Sequence, residues 1–300
     1  MFERILFPTD FSVFANTVFT CLPELRSAGV REVVLLHVIA TTDVPLPETL
    51  NRESMAWVKM RAEEELYIQR MALEGQGLRV HTRIEYGNVV NCIIDVAVDE
   101  HVSMIVLGAQ GKSLSARLLL GSVANEVLRR SPVPVLVQKF RVIREMGHVA
   151  CEKVCTSIFQ HVLFATDFSP CAAEAFNLVK RLKQAGTERV TLLHVQDERM
   201  LKRYSPAQRA ALNAEDRQRL HNLERALVLF GLQPEVLIRQ GHPVREILGG
   251  AQMQNASLIV IASHGHSQLK EMLMGTIAEN VVRASTLPVL VIHCQESSES

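Results

Sequence analysis

Ile5-Leu-Phe-Pro-Thr-Asp-Phe-Ser12 returns, with two changes, as Val162-Leu-Phe-Ala-Thr-Asp-Phe-Ser169. Three further matches follow in the same order. Val34-Leu-Leu-His-Val38 returns as Thr191-Leu-Leu-His-Val195, and Ile105-Val-Leu-Gly-Ala-Gln-Gly111 as Ile259-Val-Ile-Ala-Ser-His-Gly265. Ser131-Pro-Val-Pro-Val-Leu-Val137 returns as Thr286-Leu-Pro-Val-Leu-Val291, shortened by one residue. The offset is 157 residues at the first two matches and 154 at the third. A period of that size is a whole domain rather than a solenoid unit. Residues 1–140 and 158–294 read as two copies, 141–157 as a linker and 295–300 as a polar tail.

Each copy alternates strand and helix. In the first, Arg4–Pro8 is a short apolar strand, and Ser12 opens a helix that Gly29 stops. Glu32–Ile39 follows as a buried-type strand, then a long helix from Pro47–Glu48 to Glu74. Arg79–Tyr86 alternates as a strand, and Val89–Glu100 has helical spacing. Met104–Gly108 and Val133–Val137 are two more strands, with a helix over Ser122–Arg130 between them. This order predicts an α/β fold: two tandem Rossmann-like, doubly wound domains with helices on both faces. Right-handed crossovers give each five-stranded parallel sheet the order 3-2-1-4-5. Ligands of such sheets bind beyond the carboxyl ends of the strands, where the order reverses.

Composition narrows the function classes. Hydrophobic residues make up 48% of the 300 and charged residues 21%, which is a chain that folds. Lys+Arg and Asp+Glu number 32 each, so no net positive field points to nucleic acid or a membrane surface. The apolar runs are strand-length, far short of the roughly 18–20 residues of a membrane span. The start, Met-Phe-Glu-Arg-Ile-Leu, leaves no room for a secretory leader. Six cysteines show no dense framework, and a reducing, cytoplasmic setting is expected.

Two segments meet at the reversal point. One is Pro8-Thr9-Asp10. The other is Gly108-Ala-Gln-Gly111-Lys112-Ser113, closing on Gly121-Ser122 at a helix start. Glycines let backbone N–H groups converge on an anion, and a helix start adds further N–H groups and a positive end. The set suits a polyphosphate ester with a hydroxylated sugar, Asp10 facing the sugar. The plainer reading stands beside it: corner glycines are common, Ser122 is a good helix cap, and Asp10 caps the first helix.

Gly108-x2-Gly111-x9-Gly121-Ser122, preceded by a strand, resembles the nucleotide-binding signature of the universal stress protein family. Pro8-Thr-Asp10-Phe-Ser, Leu35-Leu-His-Val38 and Ser131-Pro-Val-Pro-Val-Leu-Val137 match as well, in order. The resemblance covers both copies except the linker and tail. It implies dimerised domains, and adenine nucleotide (ATP, or ADP or AMP) bound where the glycines are complete; magnesium is expected with the phosphates, because their charge needs neutralising and Lys112 alone supplies little. Carried over by position, Pro8, Thr9 and Asp10 face the sugar, Asp10 holding the ribose. Val38 presents backbone to adenine near Leu107, and Gly108, Gly111, Gly121, Ser122 and Val123 surround the phosphates. In the second copy the matching positions are Asp167, Val195, Ala262, Gly265, Gly275, Thr276 and Ile277. There the first glycine is Ala262 and the proline is Ala165. Thr276-Ile-Ala-Glu279 also fits a capping box, which would occupy the helix start. The first copy is therefore expected to be the tighter site.

Other signals fall short. A P-loop needs a glycine where Val106 stands. Gly-x-Gly-x-x-Gly is missing after the first strand. Gly111-Lys-Ser113-Leu-Ser115 lacks the last glycine of a nucleophile elbow. Cys151 and Cys155 are spaced tolerably for zinc but lack a second pair, so they read as linker thiols or a redox pair rather than a metal site. His37 and His194 read as core histidines bonded to backbone. No residue set for fast catalysis stands out, since a vigorous ATPase needs a water-activating group and metal ligands.

Overall fold

A computed structural model describes residues 1–40, 48–109, 120–145, 148–153, 157–265 and 274–294. The second glycine of the first copy, Gly111, with Lys112 and Ser113, lies outside the described residues, as do Pro47, Cys155 and the tail. Two compact units emerge, Phe2–Lys153 and, together with Met1, Val154–Ser300.

In the first unit β1 (Arg4–Pro8) is flanked by β2 (Glu32–Ala40) and β4 (Met104–Gly108). β3 (Arg79–Gly87) lies outside β2, and β5 (Val135–Gln138) outside β4. All four pairings are parallel, in the order 3-2-1-4-5. The second unit repeats it with β8 (His161–Ala165), β9 (Arg189–Asp197), β10 (Gln233–Gly241), β11 (Leu258–Ala262) and β12 (Val289–Ile292). The central strands are continuous apolar runs because both faces are covered. Ile5, Leu6, Val106 and Val260 are fully buried, and each such side chain is worth roughly 1.5–3 kcal/mol over its exposed state.

The helices follow their sequence signals with local exceptions. α2 (Glu48–Glu74), α3 (Val89–Asp99) and α4 (Ser122–Arg130) stand where periodicity puts them. The helix expected from Ser12 to Gly29 is two pieces, α1 (Val13–Phe19) and a 3-10 turn over Leu22–Ala28. Pro23 cannot donate an amide to a continuous helix. Gly29, at φ 90, closes the second piece in the left-handed region. The second unit breaks likewise after α5 (Pro170–Arg181), into a 3-10 turn ending at Gly186. Next come α6 (Glu198–Leu201), α7 (Pro206–Leu229), α8 (Pro243–Met253) and α9 (Thr276–Ala284).

Two expectations need correction. The stretch read as linker contains an antiparallel hairpin, β6 (Phe140–Glu145) and β7 (His148–Lys153), and β7 runs beside α1. Val142-Ile143 and Val149-Ala150 supply the short apolar segments of the two strands. The last repeat is also not shortened. Ser131 Oγ donates to Val133 O and accepts from its N–H, and Ser285 does the same with Leu287. The offset therefore stays at 154, with Ser285 in the place of Ser131.

Candidate functional site

The loop after β1 is built by its own side chains. Thr9 N–H donates to Leu36 O at 2.8 Å, tying the loop to β2. Thr9 Oγ1 accepts from Phe11 N–H at 3.1 Å, and Asp10 Oδ1 accepts from Ser12 N–H at 3.0 Å. Ser12 Oγ then accepts from Ala15 N–H and caps α1. Asp10 is thus a turn former ahead of the cap, not the cap itself. Phe11 sits at φ 57, costly for a bulky residue, and its ring lies 4.4 Å from that of His37. His37 Nδ1 is 2.9 Å from Thr9 O. The histidine is bonded to backbone, as its apolar setting suggests.

The second domain repeats this bond for bond. Thr166 N–H reaches Leu193 O at 2.9 Å, Phe168 N–H reaches Thr166 Oγ1 at 3.1 Å, and Ser169 N–H reaches Asp167 Oδ1 at 3.0 Å. Phe168, at φ 61, lies 4.5 Å from His194, whose Nδ1 is 2.8 Å from Thr166 O. The repeated Thr-Asp-Phe-Ser motif encodes one rigid turn twice.

Facing this turn is the end of β4 or β11. Ala109 N–H donates to Gln138 O, and Gly121 N–H returns to Ala109 O at 3.0 Å, so α4 begins beside the strand end. Gly121 is the N-cap residue of α4 and provides no side-chain cap, with Ser122 and Val123 following as the first helical residues. In the second domain Gly275 N–H donates to Ser263 O at 2.7 Å and opens α9 ahead of Thr276 and Ile277. The capping box expected there does not form. The cap residue is Gly275, and Glu279 pairs with Arg283 one turn on, at 2.8 Å. Both helix starts therefore lack a side-chain acceptor at the cap, the condition under which N–H groups remain for an anion.

Gly265 and Gly275 serve space rather than backbone rotation. Neither Gly108, Gly121, Gly265 and Gly275 nor Ala262 has a positive φ. Alanine at position 262 therefore carries no backbone strain. A Cβ on Gly275 would come within 3.1 Å of Ser263 O, and one on Gly265 would collide with Asp167 Oδ2. Val38 and Val195 stand near the ends of β2 and β9, in register with Glu85 and Arg239. Leu107 is buried at the end of β4. Pro8, Thr9, Asp10, Gly108, Gly121, Ser122 and Val123 thus come together at the carboxyl ends of the strands.

The two sites differ beyond the positions of the repeated motifs. Gln196 stands where the first copy has Ile39. It donates to the buried Asp216 at 2.8 Å and accepts from Gln240 at 3.1 Å. His194 Nε2 lies 3.5 Å from the same carboxylate. Asp216 points inward from α7 and is 4% exposed. Cys171, in the first turn of α5, is disulfide-bonded to Cys294, two residues past β12, across a sequence separation of 123. Cys21 is also disulfide-bonded, whereas Cys92 is a free thiol. Spacing alone shows no such framework. The signal in the sequence is positional: one cysteine follows the Thr-Asp-Phe-Ser turn and the other lies just past the last strand, two places the fold brings together.

Among the described residues no helix is long and apolar enough to cross a membrane. The model of the Universal stress protein family matches residues 1–139 and 158–293. A universal stress protein of Methanocaldococcus jannaschii is 31% identical over 159 residues, covering 47% of this chain and 98% of that protein. One from Mycobacterium tuberculosis is 26% identical over 283 residues, covering 87% and 85%. The crystal structure of a universal stress protein from Archaeoglobus fulgidus covers 99% of both chains at 29% identity, with a TM-score of 0.73. With both copies matched and the repeated 3-2-1-4-5 order in place, the chain belongs to the universal stress protein family and carries two of its domains in tandem.

Proposed function

We propose that the chain binds adenine nucleotide, with magnesium on the phosphates, and that occupancy regulates its shape or its partners. The observation that carries this is the uncapped start of α4 returning to the end of β4, opposite the Thr9–Asp10 turn. One oxygen of Asp10 is used in the turn, and the other suits ribose hydroxyls. The backbone near Val38 and the side chain of Leu107 suit adenine, and Gly108, Gly111, Gly121, Ser122 and Val123 suit the phosphates. Calorimetric titration of the full chain with Mg-ATP tests it, with Gly111→Val expected to remove most of the high-affinity heat. No heat at millimolar ligand from folded protein overturns the reading.

The second site is the weaker in this reading. Ala262 brings a Cβ toward the phosphates without straining the backbone, and the buried Asp216–Gln196 pair puts polar groups at the end of β9. Domain pairing is part of the same proposal: a pseudo-dimer within the chain, open to a further homodimer. Cleavage between residues 156 and 157, which keeps the hairpin and Cys21 with its partner on one fragment, should leave fragments that coelute on gel filtration, and separate stable monomers would refute it.

A further inference from the structure

Three metal-ligating groups meet beside the second site, and the nucleotide reading uses none of them. Cys171, Cys294 and His264 each offer an atom, and these atoms lie within 4.8 Å of one another. They come from three elements: the first turn of α5, the end of β12 and the turn after β11. Cys171 is 6% exposed, while His264 and Cys294 are half-buried. Ser263 Oγ is 2.8 Å from His264 Nδ1 and 3.9 Å from Cys171 Sγ. It orients the imidazole through one ring nitrogen, as a ligating histidine is commonly held. By the repeat offsets, the first domain has Phe14, Phe140 and Gln110 in these places. The cluster is specific to the second copy.

We propose that reduction of the Cys171–Cys294 disulfide turns this cluster into a site for a zinc-class divalent cation. Two thiolates and one imidazole are the donor set that favours zinc over magnesium or calcium, and three protein ligands leave a fourth position open. The Cα atoms of the two cysteines are 5.2 Å apart, close enough for both sulfurs to reach one ion after χ1 rotation. The step balances with a dithiol as reductant. It gives two electrons and two protons to the cystine and becomes a disulfide, leaving two thiols in the chain. Each thiol then releases one proton as its sulfur binds the cation. Oxidant and metal therefore compete for the same two sulfurs. The inference stands apart from nucleotide binding, because its test contains no nucleotide.

The probe is cobalt(II), whose thiolate charge-transfer absorption reports sulfur ligation, with zinc affinity taken from competition against a chromophoric chelator. The full chain is reduced with a phosphine, desalted without air and titrated beside the oxidised chain, C171S/C294S and H264Q. Reduction also frees Cys21 and its partner, and C171S/C294S retains that background. The reduced wild type should bind one more cobalt per chain than C171S/C294S, with added charge-transfer absorption that the oxidised chain lacks. H264Q keeps both cysteines and the disulfide. It should lose at least the roughly 10–100-fold in affinity that removing a residue merely supporting a ligand costs. Equal binding by reduced wild type and C171S/C294S, or undiminished affinity in H264Q, would overturn the proposal.

Discussion

Gly265→Ala isolates the contact between the two halves of the second site. Gly265 has no positive φ, so alanine is permitted there, and the less flexible unfolded chain favours the mutant by about 0.4–1 kcal/mol. The opposing effect is local, because the new Cβ collides with Asp167 Oδ2. Moving that carboxylate strains the 3.0 Å bond from Ser169 N–H to Asp167 Oδ1. A hydrogen bond to a charged group is worth about 1.5–3 kcal/mol. Asp167 is half-exposed, so a net loss of about 1–2 kcal/mol is expected. In an Asp167→Ala background the collision is gone, and the same change should be neutral or slightly stabilising. The coupling in the double-mutant cycle is then about 1–3 kcal/mol. Urea unfolding under non-reducing conditions, followed by circular dichroism, measures it. Trp57, the single tryptophan, lies in the first domain, so a fluorescence transition that stays put shows that only the second half is affected. Equal effects of Gly265→Ala in both backgrounds, within about 0.5 kcal/mol, would refute the reasoning.

Asp10→Ala should weaken Mg-ATP binding by about 1.5–3 kcal/mol if the carboxylate faces ribose; calorimetry showing unchanged affinity in folded mutant would leave it only the turn. Replacing both Cys171 and Cys294 by alanine opens a loop spanning 123 residues, for which chain entropy gives a loss of up to about 5 kcal/mol; urea unfolding that shows less than about 1 kcal/mol would contradict this. Glu100 is bonded by Arg83 at 2.8 Å and paired with Arg4. Partial burial opposes its charge, but the Arg83 bond and the two guanidinium charges outweigh that and hold its carboxyl below the ordinary range. Its folded value is the lower one, so its contribution is full above the unfolded value and is lost as pH falls through the folded one. Glu100→Gln should cost about 1–2 kcal/mol at pH 7, and the gap should close in acid denaturation profiles below about pH 4. Burial, reinforced by the charge of Arg189, lowers the value of His161. The second domain should therefore lose stability as pH drops below about 6.5, and less of it in His161→Gln.

Strand order was legible because the central strands are unbroken apolar runs and the chain repeats itself. Leu6 and Leu163 could only be buried, and βα alternation leaves few topologies. The Thr9–Ser12 turn was visible as a repeated motif, but not its mechanics. Nothing in Phe11 or Phe168 announces a left-handed backbone, which the hydrogen bonds of Thr9 and Asp10 impose. Whether Ala262 strains the backbone depends on a dihedral angle that sequence does not contain. The capping box at Thr276 failed because helix register differs by one residue from the motif's, making Gly275 the cap and placing Glu279 a position too late. The hairpin that starts at Phe140 shows no strict polar–apolar alternation in sequence, so composition does not separate it from a linker. Cys171 and Cys294 are far apart in sequence and meet only through the α5–β12 contact.

That disulfide also decides how the chain answers to mechanical load. A force applied at the two termini enters the second domain near residue 154 and meets Cys171. It then passes through the sulfur bridge directly to Cys294, a few residues from the end. The residues between never bear tension, and their contour, roughly 400 Å at about 3.3–3.6 Å per residue, stays hidden. Under oxidising conditions a pulled chain lengthens only outside that closed covalent ring, which holds most of the second domain. Adding a reductant would release the rest as one late, large extension.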